Sequence, residues 1–418
     1  MKTVDLLIIG GGSAGMAAAL QARKEGIQDI LILEKDPHLG GILNQCIHNG
    51  FGLTEFKCEL TGPEYLSRFE AEVKKEGINY YLNTFVIKID KNKNVTFSNS
   101  ELGSVTVNAK AIVISTGCYE RNAGAIRLPG DRVSGVITAG TAQRYLNIHG
   151  YLVGKRIVIL GSGDIGLIMA RRLTLEGAKV LCVSEIMPYS NGLNRNISQC
   201  LNDFDIPLYL SHTVSNVIGE NGRIKKVVLS EVDERMNFIP NTEMEFECDT
   251  LILSVGLIPY ISLLKDVNVE LSRTKGPTVD EYMQTSVKGI FACGNSLHVH
   301  DVVDFVTEEG RLAGHGAALY LKNEIPTKNF INTECGNMVS YIVPSRISLD
   351  TKEDVELKFR IKKPIKDVNI IVESNSEILL KQYKVAMVPS EMAIVTLKAE
   401  KIKQIKDNLI IRLEERNG

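Results

Sequence analysis

Residues 4–9, VDLLII, form a largely apolar run that stops at a cluster of glycines, and an alanine-rich stretch follows. A second apolar run, ILIL at 30–33, ends in Glu34. Short continuous runs of this kind read as strands buried on both faces, and the order strand, turn, helix, strand predicts a parallel βαβ unit. The pattern returns at 155–185, with a strand over 157–160, a glycine turn, a helix over about 166–176 and a strand over 179–184 that ends in Glu185. Three further runs, 111–115, 251–255 and 290–292, lead into glycines at 117, 256 and 294. Such strands deliver backbone to a ligand-binding sheet edge. From about residue 336 the period falls to two: 355–362 reads VELKFRIK, and 368–373, 378–385, 391–397 and 409–413 read as further strands. The predicted fold class is α/β, with two Rossmann-like three-layer domains and a small C-terminal all-β domain, a sandwich.

The glycine turns carry the first chemistry. Gly10-x-Gly12-x-x-Gly15 lies between a strand and a helix. The first glycine makes the tight turn, the second lets backbone approach a pyrophosphate, and the third lets the helix pack against the strand. The helix N-terminus offers oriented N–H donors and a positive dipole end, which brings Ser13 and Ala14 into the same binding turn. Glu34, with Lys35 beside it, sits where a carboxylate accepts hydrogen bonds from a ribose diol. Gly161-x-Gly163-x-x-Gly166 repeats this arrangement, with Asp164 and Ile165 in the turn and Glu185 closing the next strand. An acid there favours a 2′-hydroxyl over a 2′-phosphate, so NAD(H) is expected in preference to NADP(H). Arg171-Arg172, inside that helix, reads as a solvated face.

Composition narrows the classes. The 418 residues carry 48 Lys+Arg and 50 Asp+Glu, a net charge of −2, which disfavours a nucleic-acid footprint or a polybasic membrane patch. No apolar run is long enough to span a membrane, and Met1-Lys2-Thr3 leads directly into the first strand, so a cytoplasmic protein without a signal peptide is expected. The eight cysteines are scattered, with no CxxC or CxxxxC spacing. That pattern predicts no zinc site, no iron–sulfur cluster and no disulfide framework, and no metal is expected.

Taken together, residues 1–330 resemble the two-dinucleotide flavoproteins of the pyridine nucleotide–disulfide oxidoreductase superfamily. The resemblance implies that the first turn binds FAD and that a second, inserted domain binds NAD(H). The implied boundaries are 1–118 with 257–335 for the FAD domain, 119–256 for the NAD domain and 336–418 for the β-rich domain. The FAD positions it implies are Gly10, Gly12, Ser13, Ala14, Gly15, Glu34, Lys35, Gly41, Thr116, Gly117, Gly294 and Asn295. The NAD positions are Gly161, Gly163, Asp164, Ile165, Gly166, Glu185 and Gly256. Residues 285–295, TSVKGIFACGN, resemble the second FAD motif, which usually ends in Gly-Asp; Asn295 keeps the hydrogen bonding and brings no charge. Residues 306–310, VTEEG, resemble the start of a helix aimed at the flavin pyrimidine.

Segments 40–53, 115–132 and 161–181 resemble more closely the FAD/NAD oxidoreductases associated with glycerol-3-phosphate dehydrogenase-like proteins. These are related to subunits of opine oxidase, sarcosine oxidase and hydrogen cyanide synthase. That resemblance implies electron exchange between NAD(H) and a partner flavoprotein dehydrogenase in glycerol-3-phosphate metabolism, within a homo- or hetero-oligomer.

Disulfide reductases of the superfamily set a cysteine pair against the flavin. Here Leu43 stands where the long-spaced pair would begin, and only Cys46 is near. Cys46 with His48 is the candidate for single-thiol chemistry, because a neighbouring imidazole favours thiolate; packing in the turn is the alternative. His298 and His300, spaced by one, suit proton shuttling at the flavin or polar packing, and no third metal ligand is evident. Two other functions stay open: a stand-alone peroxide or disulfide reductase using Cys46, and an electron-entry subunit of an amine or opine oxidase-like complex. The β-rich tail suits contact with a partner or a dimer mate, or capping of the FAD domain.

Overall fold

The computed structural model describes residues 2–326 and 328–416. The chain divides into two compact units, one formed by residues 1–118 and 258–418, the other by residues 119–257.

In the first unit, five parallel strands run in the order Asn79–Tyr81, Ile30–Leu33, Lys2–Ile9, Gly103–Ile114 and Ile290–Ala292. The predicted runs at 4–9, 30–33 and 290–292 all lie in this sheet, fully buried apart from the half-buried Asp5. Register fixes the functional edge. Ile9 pairs with Leu33 and with Ile114, and Ile114 pairs with Ala292. The residues that follow these strands (Gly10, Glu34, Ser115 and Cys293) therefore leave the sheet at one carboxyl-terminal edge, where open α/β sheets bind ligands. Two antiparallel strands, Thr84–Ile89 and Asn94–Asn99, extend the sheet through the long strand Gly103–Ile114.

Helices Ser13–Lys24 and Val303–Leu321 pack through small residues. A Cβ on Gly310 would fall 2.3 Å from the Ala14 carbonyl oxygen, and one on Gly314 would fall 2.2 Å from that of Ala18. The second helix starts at Val303, three residues before the sequence resemblance places it. Residues 306–310 are thus a full turn inside the helix rather than at its N-terminus.

The second unit has its own parallel sheet, in the order Leu208–Tyr209, Lys179–Ser184, Arg156–Leu160, Thr250–Leu253 and Val136–Thr138. A three-stranded antiparallel sheet, His212–Glu220, Arg223–Glu231 and Met244–Glu247, accompanies it. Arg172 pairs with Glu176 at 2.6 Å and bonds Asn147 at 3.1 Å, while Arg171 lies over the Phe204 ring. Both arginines are engaged within the unit, as a helix face requires.

The tail folds as two sheets around one apolar core. Five strands run from Arg346–Ser348 through Phe330–Cys335, Leu409–Glu415 and Ile365–Ser374 to Glu377–Met387; three more are Val339–Val343, Val355–Ile361 and Ala393–Leu397. Leu357 and Phe359 of one sheet and Ile370 and Ile411 of the other share the same buried cluster. The β structure begins at Phe330, earlier than the change of period shows.

The tail meets the rest of its unit through buried polar groups. The Ser348 N–H donates to Glu281 Oε2 at 3.1 Å, Tyr282 and Thr351 hydroxyls lie 3.0 Å apart, and Arg346 approaches Asp280 at 3.7 Å. Glu281 Oε1 is buried with no hydrogen-bond partner among the described residues. Burial, then the neighbouring Asp280, pushes the Glu281 carboxyl up to about 8 from its ordinary 4.5. The folded state therefore holds this proton more tightly than the unfolded chain does. Its stabilising effect is complete below about pH 4.5 and is lost as pH rises to about 8. Glu281→Gln is expected to flatten the fall of melting temperature across that window and to be more stable than the wild type at the alkaline end, as thermal unfolding at several pH values would show.

Candidate functional site

The first glycine turn is built by close approach. Gly10 has φ +105° and a Cβ there would lie 2.3 Å from the Ser115 carbonyl oxygen; one on Gly15 would lie 1.9 Å from that of Gly10. Gly12 is the opposite case: the only atom within 4 Å of a Cβ there is the Gly40 oxygen, at 4.0 Å. Gly12 is also the N-cap of the helix, and no side chain caps it. With no side-chain cap, the first-turn N–H groups at Ser13 and Ala14 keep their capacity to bind phosphate beside the free space at Gly12. Glu34 Oε2 accepts the Gly11 N–H at 2.7 Å and Oε1 that of Asp36 at 2.9 Å. Burial pushes its carboxyl upward while these two donors favour the ionised form. Each oxygen keeps a lone pair for a ribose hydroxyl. Lys35 stands exposed beside it.

The second turn repeats this geometry. A Cβ on Gly161 would fall 2.1 Å from the Ser254 oxygen, Gly163 has nothing nearer than 3.6 Å, and the helix starting at Asp164 has no side-chain cap on its N-cap residue, Gly163. Glu185 Oε2 accepts from the Ser162 N–H at 3.0 Å and its hydroxyl at 2.7 Å, and Oε1 accepts the Met187 N–H at 3.0 Å. Both acids lie 23 residues beyond the N–H they bind. Asp164 turns away from the glycine turn: its Oδ1 accepts from Leu193 N–H at 2.9 Å and Asn196 Nδ2 at 2.6 Å, fixing the segment after Glu185. Ile165 is half-buried, packed against the hydrophobic core of this unit. Gly256, with φ +104°, accepts the Arg121 N–H at 3.0 Å. Each turn thus has a cradle that side chains would fill, an open helix N-terminus and a ribose-accepting acid, and each fits one dinucleotide.

Thr116 and Gly117 close a loop through Tyr260. The Thr116 hydroxyl donates to the Tyr260 oxygen at 2.7 Å, and Gly117, at φ +70°, accepts the Tyr260 N–H at 2.9 Å.

The segment around Cys46 is tied to the first turn. The Gly40 N–H donates to the Gly11 oxygen at 2.8 Å, Gly12 and Gly40 form a parallel bridge, and Gly40 and Gly41 both take positive φ. A short 3-10 turn, Gly41–Gln45, then delivers Cys46. The Cys46 carbonyl accepts the Gly62 N–H at 2.9 Å, and its half-buried thiol donates to the Ile42 oxygen at 3.4 Å. His48 Nδ1 lies 3.0 Å from the Asn49 oxygen, with its ring against Phe51 at 4.9 Å. Cys293 is fully buried, and burial holds its thiol well above the ordinary range. A small packed hydrophobe is its role.

Helix Val303–Leu321 gathers the two candidate clusters. On one side Asp304 accepts the N–H groups of Gly52 at 3.0 Å and Thr54 at 2.9 Å, Thr307 meets the Tyr65 hydroxyl at 2.7 Å, and Arg311 pairs with Glu55. These contacts hold the loop of residues 46–62. On the other side Glu309, fully buried, accepts the Gly294 N–H at 2.7 Å and meets His298 Nε2 at 2.8 Å and His300 Nε2 at 3.3 Å. Burial alone would raise the Glu309 carboxyl; the facing His300 and His298 outweigh it and hold it well below the usual range. Burial pulls the His298 imidazole down to about 4, so it is neutral near pH 7.

The tail closes this cluster. The Tyr341 hydroxyl lies 3.4 Å from His298 Nδ1 and accepts from Arg360 Nε at 3.2 Å. Arg360 also pairs with Asp301 and donates to the Val299 oxygen at 3.1 Å. Lys358 Nζ is 3.9 Å from Glu309 Oε2. Sequence reading missed Glu309, Tyr341, Lys358 and Arg360 as partners of the histidines. The sequence carried no distinctive signal for Glu309, one of several polar and charged residues on a helix that also bears Asp304, Thr307, Glu308, Arg311 and His315.

His298, His300 and Glu309 also have the identities of a three-ligand metal set, with ligand atoms within 4.8 Å of one another. The 2.8 Å contact is a hydrogen bond, and an ammonium 3.9 Å from the shared oxygen already supplies positive charge there. Both features fit a proton-bonded network better than a bound cation. Among the described residues no helix is long and apolar enough to cross a membrane.

Comparison with known proteins agrees with this architecture. A Pyrococcus horikoshii NAD(P)H coenzyme A polysulfide/persulfide reductase is 26% identical over 305 residues, 71% of this chain; the chain matches 64% of that protein's length. A Listeria innocua thioredoxin reductase is 27% identical over 329 residues, 77% of this chain and 95% of the relative. The crystal structure of T. acidophilum thioredoxin reductase matches with a TM-score of 0.61 at 25% identity, over 78% of this chain and 99% of that one. Thioredoxin reductases use FAD and NAD(P)H, the pair that the two glycine turns fit. Residues 4–310 match the family model described as pyridine nucleotide-disulphide oxidoreductase, and the chain belongs to that family.

Proposed function

We propose that this chain is an NAD(P)H-dependent FAD reductase that acts on a low-molecular-weight disulfide or persulfide through Cys46. The observation that carries this reading is the placement of Cys46: one half-buried thiol at the end of a turn bridged to the first dinucleotide turn, on a loop fastened to helix Val303–Leu321. The reductases named above support the substrate class.

FAD, when bound, relays an electron pair between nicotinamide and sulfur. The Cys46 thiolate attacks one substrate sulfur; a Cys46–S–S–R bond forms as the substrate S–S bond breaks, and the other half leaves with the bonding pair as a thiolate or hydrosulfide. Two electrons then break the mixed disulfide, restoring the Cys46 thiolate and releasing the second thiolate, which solvent protonates. The chain's part is to orient this sulfur. The Gly62 N–H on the Cys46 carbonyl and the Asp304 carboxylate on the loop amides do so. Anaerobic titration with NADH tests the first half-reaction: the flavin should bleach, and a flavin that stays oxidised would sink the reading.

The Glu185 carboxylate, buried at the second turn, would face a 2′-phosphate with like charge. NADH is therefore expected to reduce the flavin with at least tenfold lower KM than NADPH, about 1.4 kcal/mol. Glu185→Ala should narrow that ratio, as stopped-flow reduction with each nucleotide would show.

A second reading keeps the chain as the NAD(H)-linked subunit of a partner dehydrogenase in glycerol-3-phosphate metabolism. It draws on the all-β tail, which lies beyond the matched residues 4–310. A chain that reduces no disulfide or persulfide alone, and couples NAD(H) to glycerol 3-phosphate only with a co-purifying dehydrogenase subunit, would replace the first reading with this one.

A further inference from the structure

Residues 345–353 of the β-rich tail lie against residues 279–285 and reach toward two helices. The Ser345 N–H donates to the Val279 oxygen at 3.0 Å, and Arg346 Nη2 donates to the Thr285 oxygen at 3.1 Å. Ser348 then meets Glu281, and Thr351 meets Tyr282. The segment ends at Glu353, whose Oε1 lies 3.0 Å from His315 Nε2 on helix Val303–Leu321. His315 Nδ1 lies 2.7 Å from Glu25 Oε1, which also accepts from Gln21 Nε2 at 2.8 Å. The ring thus faces a carboxylate at each nitrogen. A neutral imidazole has one N–H and turns a lone pair toward one of them; an imidazolium donates to both. Glu25 is the C-cap of helix Ser13–Lys24, where the helix dipole favours a cation beside it. Among the described residues no other charged group pairs with the ring, and its remaining neighbour is the Tyr282 ring, at 5.9 Å.

We propose that residues 345–353 form a proton-controlled clamp, which fastens the tail while His315 is charged and Glu281 is protonated and opens when both protons leave. The inference is independent of the reaction proposed above. Burial pulls the His315 imidazole down, and the bonds to Glu25 and Glu353 outweigh it and hold it above its ordinary 6.5. With Glu281 pushed up to about 8, both groups bind a proton more tightly in the closed seam than in an open one. Rising pH therefore favours opening. When His315 loses its proton, the remaining N–H stays on Glu25, which is 17% exposed, because water can solvate Glu353, which is 48% exposed. The bond that is lost is the one to the tail. When Glu281 ionises, it sets a second buried anion beside Asp280, against the single guanidinium of Arg346. The neighbouring groups do not reverse this sign. Burial pushes Asp280 up to about 6, so it is ionised and faces Arg346 above that pH. Burial pushes the Tyr282 hydroxyl up to about 12, so it keeps its proton toward Thr351.

Hydrogen–deuterium exchange of the FAD-loaded full chain, corrected for the intrinsic pH dependence of exchange, tests the clamp. Protection of the amides in residues 345–353 should fall about tenfold or more between about pH 6.5 and about pH 9. The inner strand Ile365–Ser374 should keep its protection over the same range. A double variant, His315→Gln with Glu281→Gln, should lose the pH dependence of the segment. Unchanged protection in the wild type, an equal loss in both segments, or a double variant that falls as the wild type does overturns the proposal. If the double variant does not fold, carbon–proton spectra of wild-type protein labelled at histidine decide alone. The His315 ring should then titrate above 6.5, its ordinary value, and a midpoint at or below that value overturns the clamp. No turnover enters these measurements, so a chain that reduces no disulfide would refute the function proposed above and leave this inference standing.

Discussion

Replacing Cys46 with serine is expected to lower disulfide or persulfide turnover by at least a thousandfold while NADH still bleaches the flavin at the wild-type rate. Serine keeps the size of the side chain and its hydrogen bond to the Ile42 oxygen, so the turn Gly41–Gln45 and the loop behind it stay in place. What it removes is the nucleophile, because only a thiolate attacks sulfur and leaves again under reduction. The split between the two half-reactions is the informative result. Lost turnover with intact bleaching places Cys46 on the oxidative side of the flavin. Intact turnover would remove Cys46 from the mechanism and return it to packing. Cys58 serves as the control. It belongs to the same loop and is half-buried, yet the mechanism assigns it nothing, so Cys58→Ser should turn over normally.

Replacing Glu309 with alanine is expected to cost about 3–5 kcal/mol of stability, the usual range for removing one partner of a buried ion pair. The carboxylate is the common acceptor for the Gly294 N–H, His298 and His300, and it lies near Lys358. Alanine leaves those donors buried and unpaired, and it removes the anion beside the buried Lys358 ammonium. The tail should loosen with it, since Tyr341, Lys358 and Arg360 reach the same cluster from that domain. Denaturant unfolding of the FAD-loaded protein measures the loss, and release of FAD at a lower denaturant concentration than the wild type would accompany it. A loss below 1 kcal/mol would show that water or local rearrangement satisfies the donors.

Much of the fold was legible because its signals are local. The runs at 30–33, 179–184 and 290–292 match their strands to the residue; 30–33 and 290–292 are apolar throughout and fully buried, and 179–184 is apolar between its polar ends, Lys179 and Ser184. Alternation marked five of the tail strands and missed Phe330–Cys335, Val339–Val343 and Arg346–Ser348. The antiparallel strands Thr84–Ile89 and Asn94–Asn99 were not found. They are half-exposed and mix polar with apolar residues, so their composition carries little signal even though they pair as neighbouring hairpins. The glycine turns and the acids that close them were legible as contiguous motifs. The partners of Asp164 were not, because Leu193 and Asn196 lie 29 and 32 residues away.

The sequence by itself determined two dinucleotide turns, the edge from which they bind, and an appended β domain, because each is written in contiguous residues whose spacing obeys backbone geometry. Only the tertiary structure decided that Cys46 and the His298–His300 pair, some 250 residues apart, are fastened to opposite sides of one helix by Asp304 and Glu309. It also decided that the tail's Tyr341, Lys358 and Arg360 complete the histidine cluster. The physical reason is that a buried charge chooses its partners by proximity in space. Burial of Glu309 demands donors from every side, and nothing in the order of the chain records which strands and loops the fold will bring there.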